Sequence, residues 1–161
     1  PKIMEKFKLP FEIGQDYEVW ELDLEVMNVE RIPNYDSYMY LGEVKKFMKL
    51  ISDKTELIFY WDRLEVVILT FFHIEMKTIE EIKNTLKYKY HFPIYELHTN
   101  YEVYEYHSGE LQLFLFLKKP NTVLIIYGNS NCLEEIKSNI TNIRLDTIEG
   151  KENIEMEEII K

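Results

Sequence analysis

Two adjacent segments of this 161-residue chain restrict its fold more than any other feature. Tyr101–His107 alternates in character, Leu111–Lys118 is almost continuously apolar, and Ser108-Gly109 lies between them. Two such runs around a short glycine-containing turn predict a β-hairpin. The strands of a hairpin are antiparallel, so this pattern favours an antiparallel sheet.

Further segments show the alternation or the short apolar runs that are typical of strands. They are Tyr17–Met27, Glu56–Trp61, Leu64–His73 and Thr122–Tyr127. The second and third of these follow each other closely. We expect them to form a hairpin that turns at Asp62-Arg63.

Three segments are predicted to be helical. Tyr40–Ser52 has apolar residues at helical spacing, at Leu41, Val44, Phe47, Met48 and Ile51. Thr78 and Glu81 have the spacing of a capping box for a helix that extends to about Tyr90. Asn131 with Glu134 caps a third helix, to about Ile140.

The predicted fold class is therefore α+β, with a largely antiparallel sheet and about three helices packed on it. We expect a single domain over residues 1–141 and an acidic tail over 142–161 that is helical or partly disordered. Without the first strand, the element order resembles that of roadblock- and profilin-like domains. A shared element order without a shared motif implies no function.

Composition excludes several classes of protein. The net charge is −10 and the three arginines are scattered, so we expect no direct binding to nucleic acid. No two glycines are closer than 19 residues, which excludes phosphate-binding loops, dinucleotide fingerprints and the Gly-x-Ser-x-Gly nucleophile elbow. The single cysteine excludes cysteine-based zinc fingers and iron–sulfur clusters. We expect no cofactor and no metal.

Cysteine use and hydropathy point to the cytoplasm. Cys132 has no second cysteine to pair with, which favours a reducing compartment. Apolar runs are far shorter than a membrane helix, and the first residues lack the apolar core of a secretion signal. The chain has no alanine and is rich in residues with AT-rich codons, which is typical of a low-GC bacterium or its phage.

An acidic segment precedes the first predicted helix. Six acids and no base occur between Glu12 and Glu25, and Glu21, Asp23 and Glu25 share one face of the predicted first strand. Two interpretations stay open. The charges discourage aggregation through an exposed strand, or they form a docking face for a basic protein.

A tyrosine-rich segment follows at Tyr35-Asp36-Ser37-Tyr38-Met39-Tyr40. Tyrosine is frequent at protein interfaces because it buries a large area and keeps a hydroxyl for hydrogen bonding. We therefore select Tyr35, Asp36, Tyr38 and Tyr40, together with the acidic face, as candidate partner-binding residues. The alternative is that Tyr38 and Tyr40 only seat the helix that follows.

The hairpin carries the candidate catalytic pair. If it turns at Ser108-Gly109, Glu105 and His107 share a face with Gln112. A carboxylate next to an imidazole suits general acid–base catalysis. The alternative is that the two residues only form the polar, solvent-exposed end of a sheet.

Three hypotheses result. The first is a non-enzymatic protein-binding module, an inhibitor or immunity-type protein, that binds a basic partner through the acidic and tyrosine-rich surface. The second is an adaptor or small-ligand-sensing domain that forms homodimers through a sheet edge or a helix. The third is a small enzyme that uses Glu105 and His107.

Overall fold

The computed structural model describes residues 8–130 and residue 133. Within them, eight strands form one antiparallel sheet, and one α-helix, α1 (Met76–Tyr90), packs on it. The strands are β1 (Leu24–Val26), β2 (Asp36–Tyr40), β3 (Lys54–Tyr60), β4 (Arg63–Phe71), β5 (Ile94–Leu97), β6 (Tyr101–Ser108), β7 (Leu111–Lys118) and β8 (Thr122–Asn129). Two short 3-10 turns, Tyr17–Val19 and Glu21–Asp23, precede β1.

The sheet consists of two four-stranded meanders. Its strand order is β1-β2-β3-β4-β8-β7-β6-β5, so each meander runs from one outer edge to the centre. Helix α1 takes the chain from β4 at the centre to β5 at the far edge. At the central β4–β8 junction, a Cβ on Gly128 would collide with the carbonyl oxygen of Glu65, so the two strands approach at a position that only glycine allows.

Apolar layers lie on both faces of the sheet. On the first face, the helix residues Ile79, Ile82 and Leu86 pack against strand residues such as Val67 and Leu115. The second face has its own cluster, which includes Ile68, Phe116 and Ile126, and the loop residues Ile32 and Tyr35 pack there. This explains why β4, β7 and β8 are apolar without alternation: their side chains are buried in both directions.

The predicted α+β class with about three helices is wrong, because the described residues are mostly antiparallel sheet with one helix. No helix forms at the predicted Tyr40–Ser52. Tyr40 ends β2, and the chain then makes a tight turn at Met48-Lys49, where φ is 49° and 70° and Phe47 and Leu50 exchange backbone hydrogen bonds of 2.9 and 2.7 Å. Among the five apolar residues at helical spacing only Phe47 is buried, so the helical pattern does not correspond to a packed face.

The predicted strand at Tyr17–Met27 is reduced to its last part. The backbone N–H groups of Val19, Trp20 and Asp23 donate to carbonyls three residues earlier, at 3.1, 3.0 and 2.8 Å. These donors are used locally, so no ladder forms until Leu24. Leu22, which the alternation placed on the apolar face, is 98% exposed.

Helix α1 confirms the second predicted helix, although its start differs. It begins at Met76, with Glu75 as the N-cap and no side-chain capping bond, so Thr78 and Glu81 do not form the predicted box. The helix ends at Tyr90, because His91 turns to a φ of 66° ahead of Pro93. Strand β5, directly after this proline, was not predicted.

Both predicted hairpins are confirmed with shifted turns. Ser108 pairs with Leu111, so the loop is Gly109-Glu110. Tyr60 pairs with Arg63, so the other loop is Trp61-Asp62. Apart from Leu133, which is buried, the predicted helix from Asn131 to Ile140 lies outside the described residues, as do the 141 boundary and the tail over 142–161.

Candidate partner-binding surface

The turn between β3 and β4 holds a tryptophan in solvent. Trp61 and Asp62 are its two loop residues, with φ of 49° and 62°, and the Trp61 side chain is 82% exposed. Two consecutive positive φ angles match a type I′ turn, which normally uses Asn-Gly because other residues pay a steric cost in this region. A large apolar side chain is thus exposed to water, at a residue whose backbone conformation is unfavourable for a side chain of this kind.

The segment before the first 3-10 turn fixes this tip in place. The Tyr17 N–H donates to the Asp62 carbonyl at 2.7 Å. Further back, the Gly14 N–H donates to Leu64 O at 2.7 Å, and the Leu64 N–H donates to Gln15 O at 2.9 Å. Between these hydrogen bonds, Asp16 and Arg63 form an isolated antiparallel β-bridge. The segment therefore holds the turn and brings acidic residues beside it.

A series of rings connects the exposed tryptophan to the core. The ring of Trp61 lies 6.3 Å from that of Tyr60 at 79°. Tyr60 in turn stacks on Tyr35, at 4.7 Å and 28°. Tyr35 is buried in the second-face cluster, so the Tyr60 ring that contacts the indole is itself anchored to the core.

Carboxylates and tyrosine hydroxyls lie together on the first face next to this turn. The Tyr38 ring packs against Phe59 at 5.7 Å and Tyr17 at 5.4 Å. Burial raises the pKa of Tyr38, and its neighbours Tyr17, Asp36 and Asp62 raise it further. Asp36 and Asp62, from β2 and from the turn, therefore act on the same hydroxyl.

A second tyrosine–carboxylate group lies further along β2. The Tyr40 hydroxyl donates to the Glu43 carbonyl at 2.7 Å. Burial, then the charges of Asp23 and Glu43, raise the pKa of Tyr40. Its ring packs on Phe11 at 5.0 Å.

The structure brings only part of the sequence-predicted set together. Asp36 lies near Tyr38, and Asp23 near Tyr40, as described above. Glu21 is exposed in the second 3-10 turn. Glu25 is exposed in β1 opposite Met39, on the other face from both tyrosines. Tyr35 is buried and cannot contact a partner directly, but it supports Tyr60.

We define the acid–aromatic surface as the turn residues Trp61 and Asp62, Tyr60 on the second-face side of the turn, Asp36 and Tyr38 on its first-face side, Asp16 beside it, and the exposed acids that continue it, Glu18, Glu21 and Asp23. Trp61 is not among the candidates selected from the sequence, because the sequence context marks it only as the end of a strand. The dipeptide Trp-Asp is uncommon in tight turns, so the position of Trp61 in the β3–β4 turn becomes evident only from the pairing of Tyr60 with Arg63.

A solvent-open depression of about 340 Å³ adjoins the same turn. Arg63, Glu65 and Glu110 contribute its charged groups, and Ile13 and Leu111 its apolar ones. The surface beside the turn is therefore concave and mixed in character rather than flat.

The predicted pair Glu105 and His107 does come together. Glu105 Oε1 lies 3.1 Å from His107 Nε2 and also accepts a hydrogen bond from Gln112 Nε2. The predicted shared face is confirmed, since His107 pairs with Gln112 across the hairpin. The arrangement can hold an imidazole in place, but the depression beside Trp61 does not include either residue.

The histidines do not assemble into a metal centre within residues 8–130. No group of three or more His, Cys, Asp or Glu side chains in the described part of the chain has the proximity that a metal ion needs. His98 instead pairs with Glu96 at 3.2 Å and stacks on Tyr101 at 4.5 Å.

Comparisons with known proteins add little. No protein-family model matches the sequence, and no curated protein matches it. Among solved structures, the chain is similar to that of a GTP-binding regulator from Thermotoga maritima, with 15% identity, a TM-score of 0.41, and coverage of 78% of this chain and 84% of that one. A likeness of this size carries no argument about fold or function. In the described residues, no helix is long and apolar enough to cross a membrane.

Proposed function

We propose that the protein is a non-enzymatic binding module that attaches to a basic protein through the acid–aromatic surface. The observation that carries this proposal is Trp61: its side chain is 82% exposed on two residues of positive φ. Strained backbone conformations cluster at functional sites, and tryptophan is one of the residues enriched among interface hot spots. The hydrogen bond from the Tyr17 N–H to the Asp62 carbonyl holds the backbone of the turn in place, which lowers the ordering cost of binding.

The surrounding charge defines the kind of partner. Asp62 is in the turn, Asp16 forms a β-bridge with Arg63 next to it, and Asp36 and Asp62 both act on Tyr38. Further acids follow in the 3-10 turns toward β1. The whole chain carries a net charge of −10. Such a surface would attract a basic protein and orient it during encounter, with an on-rate that falls as salt rises. We therefore propose an inhibitor or immunity-type role in the cytoplasm, in which the module covers a basic site on its target.

Capture from extracts of the host organism tests this function. The tagged wild-type protein is expected to retain one stoichiometric basic protein, and Trp61→Ala is expected to lose it. Phe92→Ala is the matched control, because Phe92 is also 82% exposed but lies beyond the far end of α1. Equal capture by the Trp61→Ala variant would contradict the proposal.

The charge component has its own test. We expect the triple reversal of Glu18, Glu21 and Asp23 to Lys to slow association with the captured protein and to weaken its salt dependence. A reversal of Glu75, Glu80 and Glu81 changes the net charge equally at the N-terminal end of α1 and serves as the control. If the two triple variants behave alike, net charge alone is responsible and the location of the acids is irrelevant.

The Glu105–His107 contact supports a second candidate, a small enzyme. Glu105 would orient the His107 ring, whose side chain is 49% exposed, as an acid or base. This candidate requires a His107→Ala variant that folds normally and loses a measurable activity. If His107→Ala retains full partner capture and no activity is found in the wild type, the enzyme is refuted and the binding module stands.

A further inference from the structure

Strand β5 is an outer edge of the sheet that exposes apolar side chains. Within the described residues it pairs with β6 on one side only. All four of its residues are exposed, with Ile94 at 56% and Leu97 at 71%, and Phe92 just before it is 82% exposed. Exposed apolar edges of this kind readily pair with another strand.

The other outer edge cannot meet its own copy in the same way. Strand β1 has only three residues, and Asp23 and Glu25 lie at or beside it. Two copies that met there would bring like charges together. Around β5 the charges are mixed: the Nζ of Lys87 lies 4.7 Å from the Phe92 ring, and Lys83 and His98 accompany Glu96 and Glu102.

We propose that β5 pairs with β5 of a second copy of this chain, antiparallel and about a twofold axis. This proposal does not depend on the proposed function. In an antiparallel pair, side chains that face each other directly lie on the same face of the sheet. A twofold axis exchanges the strand with itself, so one residue must face its own counterpart.

Side-chain chemistry decides between Tyr95 and Glu96, the two central residues of the strand. A register centred on Glu96 would place two carboxylates directly opposite each other, which is unfavourable. A register centred on Tyr95 pairs the two Tyr95 rings and places Leu97 opposite Pro93 of the second copy. Tyr95 and Leu97 share the first face, since they pair with Tyr104 and Glu102 of β6. The Tyr95 register therefore gives a continuous apolar strip on the helix-bearing face.

The resulting assembly closes at two copies. Pro93 has no N–H to donate, which limits extension of the new ladder. Both outer edges of the dimer are then acidic β1 strands. Closed twofold dimers are the commonest soluble oligomers. Four strand spacings, about 19 Å, separate β4 from β5, so both Trp61 turns stay accessible.

Molar mass measured by light scattering on the full chain tests the interface. We expect the wild type to have the mass of two chains at high micromolar concentration and Leu97→Lys to have the mass of one. Val26→Lys is the matched control: Val26 is 73% exposed on β1, against 71% for Leu97 on β5. This control is expected to remain a dimer. A monomeric wild type, or a dimer that Val26→Lys breaks and Leu97→Lys does not, would overturn the proposal.

Disulfide trapping tests the register independently. In a Cys132→Ser background, Tyr95→Cys is expected to cross-link two chains on mild oxidation, because residue 95 faces its own counterpart. Glu96→Cys, one residue along the same edge, is expected to cross-link far less. Efficient cross-linking through residue 96 with none through residue 95 would overturn the Tyr95-centred pairing. Circular dichroism of each variant confirms that the fold is retained.

Discussion

The two outer edges of this sheet solve the same physical problem in opposite ways. Every open sheet ends in strands with unpaired backbone groups. At one end, β1 is short and lies among carboxylates, whereas at the other end β5 is apolar and flanked by exposed Phe92. In our proposal the charged edge stays free, and the acid–aromatic surface beside it is open to another protein. The apolar edge has no such protection, so it suits a second copy of the chain.

The same asymmetry extends inside the sheet. The half with β1–β4 buries an ion pair, in which Arg31 Nε lies 2.7 Å from Glu56 Oε1 and the side chains are 4% and 0% exposed. The half with β5–β8 keeps its pair Glu105–His107 near the surface, with His107 49% exposed. A buried charge loses far more than an exposed one when its partner is removed.

The largest effect we predict follows from that difference. Arg31→Met is expected to lower the free energy of unfolding by about 3–5 kcal/mol, because it leaves the Glu56 carboxylate buried without its counterion. His107→Ala, the corresponding change in the other half, is expected to cost less than about 1 kcal/mol. Urea denaturation measures both. Equal losses would show that the two halves do not differ in this way.

A double variant checks the cause. Arg31→Met combined with Glu56→Leu removes both charges, and we expect it to recover most of the stability lost by Arg31→Met alone. No recovery would mean that packing of the arginine stem, rather than the stranded carboxylate, accounts for the loss.

The next effect has the opposite sign. Replacing Trp61-Asp62 by Asn-Gly suits the positive φ angles of the turn, so we expect the free energy of unfolding to rise by about 1–2 kcal/mol. Partner capture should be lost in the same variant because the indole is gone. Lys49→Gly, which relieves a φ of 70° in the other strained turn, should stabilise the protein without affecting capture. If Asn-Gly does not stabilise the fold, the turn is not strained and the argument for Trp61 fails.

The sequence predicts the strands well where burial is two-sided and turns are short. The β3–β4 and β6–β7 hairpins follow from long apolar runs that no other element could bury. The predicted turns are each displaced by one residue. The register of a hairpin depends on the backbone geometry of its turn, and the residue types Trp61-Asp62 do not indicate a turn. The same error affects the candidate surface: the sequence identifies its acids in the Glu12–Glu25 segment and Asp36, but neither of the two turn residues, Trp61 and Asp62.

Periodicity fails where apolar residues do not all face the core. Leu41, Val44 and Ile51 have helical spacing, yet each is more than half exposed. Likewise, Leu22 continues an alternation that the local hydrogen bonds of the 3-10 turns interrupt. Strand β5 was not predicted because all four of its residues are exposed, so its sequence carries no burial pattern. Its pairing with β6 stabilises it.

The smallest effect we predict concerns tyrosine titration at the β5 edge. The Tyr95 hydroxyl donates to Glu102 Oε1 at 2.7 Å, and this bond is the main reason that its pKa is raised to about 12. Glu102→Gln should bring that pKa down toward the ordinary value. NMR of ring-labelled tyrosine measures the shift. An unchanged Tyr95 pKa would show that Glu102 does not control this residue.

Tyr90 is the internal control, because burial alone raises its pKa to about 12. Its pKa should not respond to Glu102→Gln. A folded pKa above the ordinary 10.0 favours folding while the phenol is protonated, so this contribution is complete below pH 10 and is lost as the pH rises through about 12.

The central claim is that the two ends of the sheet bind different things, and the mass of the purified complex tests it most directly. Light scattering should show two chains with two bound partners for the wild type. Trp61→Ala should give the free dimer, and Leu97→Lys should give one chain with one partner. If Leu97→Lys loses the partner, or Trp61→Ala loses the dimer, the two surfaces are not separate and the account is contradicted.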